Sequence, residues 1–170
     1  MFEKGDCVVY GDTGVCRVLN IGMPENIGRL DPARLYYTLA PVFQQGIIIY
    51  VPVNTKTAIR PVIAREKAGD LIGRITDIRE SSYQCRDQKL LAGHYRSFLE
   101  THRCEDLIRL IKTIFHRRQE SLQKGKKPRQ VDEHYFRRAK ELLYGELAVS
   151  LGIELEEVEK YISQKLSSES

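Results

Sequence analysis

The sequence contains no tryptophan, no pair of cysteines at CxxC spacing and no long apolar run. Each absence removes a class of protein. Cys7, Cys16, Cys85 and Cys104 stand far apart, so neither a disulfide framework nor a zinc knuckle is indicated, and reduced thiols are expected. Nothing approaches the roughly 18 to 20 apolar residues of a membrane span. The opening MFEKGDCVVYGDTG lacks the basic and apolar regions of a secretion signal. A soluble, unexported, cytoplasmic protein is the expectation.

Catalytic signatures are missing as well. The chain has no GxxxxGKS/T phosphate loop, no GxGxxG after a strand, no HExxH and no GxSxG. His94, His102, His116 and His134 all fall in the second half. His102 and Cys104 form the one close His/Cys pair, and even with Cys85 they lack the further ligand that a metal site needs. Glu154, Glu157 and Glu159 read as a solvated face rather than a general acid/base pair. These absences point away from an enzyme, and no catalytic residue, metal, cofactor or small-molecule substrate is expected.

What remains is a chain of 170 residues, 42% hydrophobic, which is enough for one medium or two small cores. From Phe2 to about Arg65, the runs CVVY, GVCRVLNI, LYYTLAPV and IIIYVPV are β-branched or aromatic and are separated by turn residues. Gly5-Asp6, Gly11-Asp12-Thr13-Gly14 and Gln44-Gln45-Gly46 supply those turns, with Gly14 expected at positive φ. Four or five short strands at this spacing predict a small barrel-like sheet. Residues 23–34, with Pro24, Gly28 and Pro32, form a longer loop.

Residues 55–74 read as a turn leading into a first helical segment, interrupted by Gly69 and Gly73. The domain boundary is placed between about residues 66 and 82, which gives a β module over 1–70 and a helical domain over 71–170. After Ser82 the period becomes helical. Leu90, Leu91, Tyr95, Phe98 and Leu99 mark one helix, and Leu107, Ile108, Leu110, Ile111, Ile114 and Phe115 a second. Asp132 gives the start signal for a third, carrying Tyr135, Phe136, Ala139, Leu142 and Leu143. Beyond Gly152, a short last helix precedes the polar tail of residues 167–170. The fold class is α+β.

The net charge of +4 hides a dipole. Between Lys112 and Lys140 ten basic residues face Glu120, Asp132 and Glu133, for a local charge near +7, whereas the stretch from Glu141 to the end, Glu169 included, is near −5. A solvated face is the ordinary meaning of such a run. Here Lys124, Lys126, Lys127 and Arg129 lie on the loop between two helices, and Arg137, Arg138 and Lys140 follow on the next one, where several cations can approach duplex phosphates. Aromatic interleaving is too thin for a single-strand stacking surface. Nothing resembles a base-reading recognition helix, so contact is expected to be largely independent of sequence.

FEKGDCVVYGDTGVCRVLNI resembles the opening of the CarD family, which also includes the polymerase-interacting domain of the transcription-repair coupling factor. YYTLAPVFQQGIIIYVPVNTKTAIRPVI is similar to its continuation, and RRAKELLYGELAVSLG to its closing helical signature. The resemblance implies a Tudor-like small β-barrel that grips the β subunit of bacterial RNA polymerase through a sheet edge. It also implies an all-α helical domain that touches promoter DNA at the upstream edge of the bubble and alters open-complex lifetime. Family members carry a basic residue before the V-P of the last barrel strand, where this chain has Tyr50. Polymerase contact is thereby assigned to Arg29, Arg34, Tyr50, Val51, Pro52 and backbone groups. Family members that stabilise open promoters also insert a tryptophan into the minor groove at a position that aligns near Gln88, with Tyr83 and Leu90 as the nearest substitutes. The alternative is a protein-interaction module that docks on polymerase without productive DNA wedging; a nucleic-acid binder unrelated to polymerase is the remaining one.

Overall fold

The protein is seen in a computed structural model that describes every residue except Asn26, Glu169 and Ser170. The last glutamate of the acidic stretch and the end of the polar tail therefore lie outside the described residues. The chain divides into two units, residues 1–63 and 64–170.

The first unit is an antiparallel sheet of β1 (Cys7–Tyr10), β2 (Gly14–Gly22), β3 (Tyr36–Pro41), β4 (Ile49–Pro52) and β5 (Ile59–Pro61), in the order β4-β3-β2-β1-β5. The barrel expectation is corrected in one respect. β4 and β5 end the ladder, and no pairing between them closes it among the described residues. Both edges still contribute to one core, because Ile49 and Ile59 pack against the cluster of Val8, Cys16, Val18, Tyr37, Leu39 and Val51. Burial pushes the Cys16 thiol up to about 11, with Cys7 adding to the shift, so this cysteine is an inert core residue.

A bulge shapes β2. Val18 pairs with Leu39 and Asn20 with Thr38, which leaves Leu19 as the extra residue and turns it outward. The shift flips the alternation, so that Ile21 rejoins the core face. β5 is not legible as a strand in the sequence, because Pro61 and its short length hide it.

The second unit consists of α1 (Arg65–Gly73), α2 (Gln88–Leu99), α3 (Cys104–Gln123), α4 (Gln130–Leu151) and α5 (Val158–Ser168). α1 lies wholly in this unit, where the sequence pattern divides it at residue 70. Its buried face, Ala68, Leu71 and Ile72, packs on α4 and α5, and this packing overrides the two glycines. Leu91 and Tyr95 of α2, Leu107, Leu110 and Ile114 of α3, and Ala139, Leu143 and Leu147 of α4 fill the core between the helices. Glu146, only 1% exposed, accepts a hydrogen bond from Cys104 Sγ (3.2 Å) at the first residue of α3. A carboxylate there is favoured by the partial positive charge of the helix start.

Gly14 has φ 90° and ψ −150°, a region that only glycine occupies without strain. Gly14→Val is expected to destabilise the sheet unit by about 1 kcal/mol or more. In urea unfolding of the full chain followed residue by residue by NMR, the sheet resonances should disappear at lower denaturant while the helical ones hold. Equal midpoints for wild type and variant would refute the strain.

Candidate functional site

Two surfaces stand out, one in each unit. In the sheet, Val53 N–H donates to the Leu35 carbonyl (3.0 Å). With the β3–β4 register, this makes Tyr37/Val51 and Leu39/Ile49 the mutually bonded pairs. The main-chain groups of Tyr50 and the nitrogen of Pro52 therefore point away from β3 along the open edge, while the Pro52 carbonyl accepts from Thr55 N–H (2.9 Å). Proline there removes no ladder bond, which is why β4 tolerates it. Phe43, Ile47, Ile48 and Tyr50 are exposed along this hairpin and edge.

The sequence-predicted polymerase residues separate on this edge. Tyr50 and Pro52 lie on it. Val51 is 1% exposed and belongs to the core, so its side chain supports the strand and has no surface to offer a partner. Arg34 sits in the 23–35 loop in an exposed ion pair with Asp31 (3.3 Å), and Arg29 is exposed in the same loop. The exposed Phe43, Ile47 and Ile48 escape a sequence reading as site residues because an apolar run reads first as buried strand.

In the helical unit, α3 ends in a Schellman turn. Gly125, at φ 69°, donates from its N–H to Leu122 O (3.1 Å), and Lys126 N–H donates to Ser121 O (2.8 Å). Lys124, Lys126 and Lys127 thus sit on a fixed turn, and all three are exposed with no side-chain partner among the described residues. Together with Arg86, Arg117 and Arg129 they line a cleft of about 640 Å³. Glu120 and Asp132 are the carboxylates in its wall.

Asp132, expected as the helix-start signal, lies instead within the first turn of α4. It is 2% exposed and accepts a hydrogen bond from Tyr95 Oη at 2.6 Å. Burial, and then that hydrogen bond, raise the tyrosine's pKa. Arg117 Nε stands 4.0 Å from the same carboxylate.

Many cations of the basic stretch are engaged inside the unit. Lys112 Nζ donates to the carbonyls of Ile75 and Ile78, Arg109 Nε to Arg79 O (3.1 Å), Arg117 to Tyr83 O (3.5 Å) and Arg129 to Cys85 O (3.2 Å). These side chains hold an irregular segment that has no ladder of its own for its carbonyls. Arg118 pairs with Glu133 (2.9 Å) and covers the Phe136 ring. Arg138 pairs with Glu141 (3.4 Å), and Lys140 lies 3.8 Å from Glu159 and over Phe136 and Tyr144. Arg137 is exposed. Of the DNA-binding candidates, Lys124, Lys126, Lys127 and Arg137 are the outward cations, Arg129 is an anchor at the cleft, and Arg138 and Lys140 are half-buried on α4.

Gln88 opens α2, capped by Asp87, whose carboxylate accepts from Lys89 N (2.8 Å) and Leu90 N (3.3 Å). Gln88 is exposed and Leu90 is 59% exposed. Tyr83 stacks on His94 with ring centroids 4.1 Å apart. Among the described residues no group of three or more His, Cys, Asp or Glu is arranged to hold a metal, and no helix is long and apolar enough to cross a membrane.

Residues 2–63 match the family model described as the CarD-like/TRCF RID domain, an RNA polymerase-interacting domain. The matched segment coincides with the sheet unit. The sheet unit is thus similar to CarD-like/TRCF RID domains, which supports a CarD-like family member and a general polymerase-binding role. No match is found among curated proteins.

His94 Nε2 lies 2.9 Å from Ser81 Oγ, and partial burial, then the Arg117 cation, hold its pKa below the ordinary 6.5. The unfolded chain therefore takes up this proton first. Stability from the neutral ring is fully present above about pH 6.5 and is lost as the pH falls through the lowered value. Thermal melting should show a drop between pH 7 and 5.5 that His94→Gln reduces; an unchanged slope in the variant would remove His94 as its source.

Proposed function

We propose that this protein is a bacterial regulator of transcription initiation rather than an enzyme, acting in the cytoplasm on RNA polymerase and promoter DNA. Edge strand β4 docks on the polymerase β subunit by strand addition, with the sheet unit as the family's Tudor-like module. The α3–α4 turn, with Arg137, contacts duplex backbone near the upstream edge of the bubble and modulates open-complex stability. The carrying observation is the open edge of β4, where the Tyr50 amide and carbonyl and an exposed apolar row offer a partner strand both hydrogen bonds and burial. β5 is the poorer edge. Its ladder, set by Gly11 N–H on Ala58 O (2.8 Å), turns the main-chain groups of Ile59 and Pro61 outward, but no large exposed hydrophobic residue accompanies them among the described residues.

A second reading, docking without DNA contact, is favoured by the internal engagement of Arg117, Arg118, Arg129, Arg138 and Lys140. Charge reversal separates the two. Lys126→Glu with Lys127→Glu should weaken binding to unrelated duplexes equally and flatten the salt slope by about one unit for each phosphate that is no longer neutralised. Polymerase pull-down should be retained, whereas Tyr50→Pro, which deletes an edge donor, should abolish it. Unaltered duplex affinity in the lysine double variant would leave docking alone as the function.

The wedge position is the finer test. Leu90 presents an exposed apolar side chain on the first turn of α2, whereas Tyr83 is held against His94. A polar Gln88 gains little by entering a base step. Gln88→Trp should lengthen open-complex lifetime by at most about 1 to 3 kcal/mol of added stability, the range of one base–aromatic stack, and Leu90→Ala should shorten it. A lifetime that responds only to Tyr83→Ala would transfer the role to that tyrosine.

A further inference from the structure

The cleft beside the α3–α4 turn has a form that backbone contact with a duplex does not require. A duplex is convex and touches cations on a rim. Here the cations line a concavity of about 640 Å³, within the size range of small-ligand sites. Its six cations outnumber its two carboxylates, and both carboxylates are engaged: Asp132 by Tyr95 and Glu120 by His116 (3.3 Å). The wall is built rather than incidental. Arg117 is 15% exposed with a buried Nε that makes no hydrogen bond, Arg129 is tied to Cys85 O, and the Schellman turn fixes Lys124. A second recess of about 350 Å³ adjoins it, sharing Gln84, Arg117 and Glu120. Tyr83 lines this recess, 39% exposed, with its ring backed by His94.

We propose that the two recesses together bind a free nucleoside polyphosphate, with its phosphate chain in the cationic cleft and its base on the Tyr83 ring. Two or three phosphates, at roughly one to two negative charges each, match the excess of cations. Arginine forks and lysine ammonium groups supply the charge-assisted donors that such oxygens take. A backed aromatic ring offers a sequence-tolerant stacking face for the base. The site shares Lys124, Lys126 and Lys127 with the proposed DNA contact, so nucleotide and duplex compete, and a soluble nucleotide thereby tunes DNA engagement by the polymerase-bound protein.

Calorimetric titration of the full chain with GTP, ATP, tripolyphosphate and guanosine tests this, with a short duplex as competitor. One saturable site is expected for GTP and ATP, weaker binding for tripolyphosphate and none for guanosine. Arg86→Glu should weaken nucleotide and tripolyphosphate alike by about tenfold or more. Tyr83→Ala should weaken the nucleotides several-fold and leave tripolyphosphate unchanged; circular dichroism checks that both variants remain folded. Lack of saturable nucleotide binding up to millimolar concentration, or binding indifferent to both Arg86→Glu and Lys124→Glu, would overturn the proposal. Duplex binding without nucleotide binding defeats this site and leaves the DNA reading intact. Nucleotide binding without duplex binding does the reverse.

Discussion

The helical unit turns on one buried carboxylate. Asp132, from the first turn of α4, would cost several kcal/mol if desolvated alone. Tyr95 of α2 donates to it at 2.6 Å, Arg117 of α3 stands beside it, and three helices are fixed relative to each other by satisfying one charge. Such a group tolerates little displacement, because a buried polar atom without its partner suffers the full desolvation penalty. The position of Arg117 at the cleft, and through it that of Tyr83 and the 79–86 segment, follows from this arrangement.

That segment shows how a cationic stretch can serve two purposes at once. Residues 79–87 have no helix or strand, yet several carbonyls in and just before this segment accept from Arg109, Lys112, Arg117 and Arg129, and Ser81 N–H donates to Thr113 Oγ1 (2.8 Å). The side chains that do this are anchored and partly desolvated. The exposed charge is correspondingly concentrated on the Schellman turn, where Gly125 and Pro128 end one helix and delay the next. A charge count along the sequence mixes these two populations; burial separates them.

The legible parts of the fold are those governed by local periodicity. Four of five strands, the helical half, the Gly14 turn and the Gly125 break can all be read, because alternation, the 3.6 period and positive φ are written into neighbouring residues. β5 escapes such a reading, since a three-residue strand ending in proline carries no periodic signal and exists only through its pairing with β1. α1 is blurred for a similar reason, its glycines being outweighed by packing on α4 and α5. At the site, Lys126 and Lys127 are readable as outward charge. Val51, Asp132 and Arg129 are not readable in their actual roles, because which face of a short strand points inward, and which cation finds a carbonyl, are tertiary outcomes.

Pro52 ties register to function in the sheet. With Tyr37 opposite Val51, the proline nitrogen faces the open side and Val51 fills the core. Slipping β4 by one residue would put Val51 into solvent and bring the proline, which has no N–H, to a position where β3 needs a donor. Both changes are unfavourable, so the residue that ends the strand also selects the register that leaves the Tyr50 amide outward. The bulge at Leu19 acts in the same sense on β2, since it allows Val18 and Ile21 to face one core while Leu19 turns out. An edge held this firmly presents its donors and apolar side chains in one arrangement, and the entropy of ordering them is already spent in folding rather than incurred on binding.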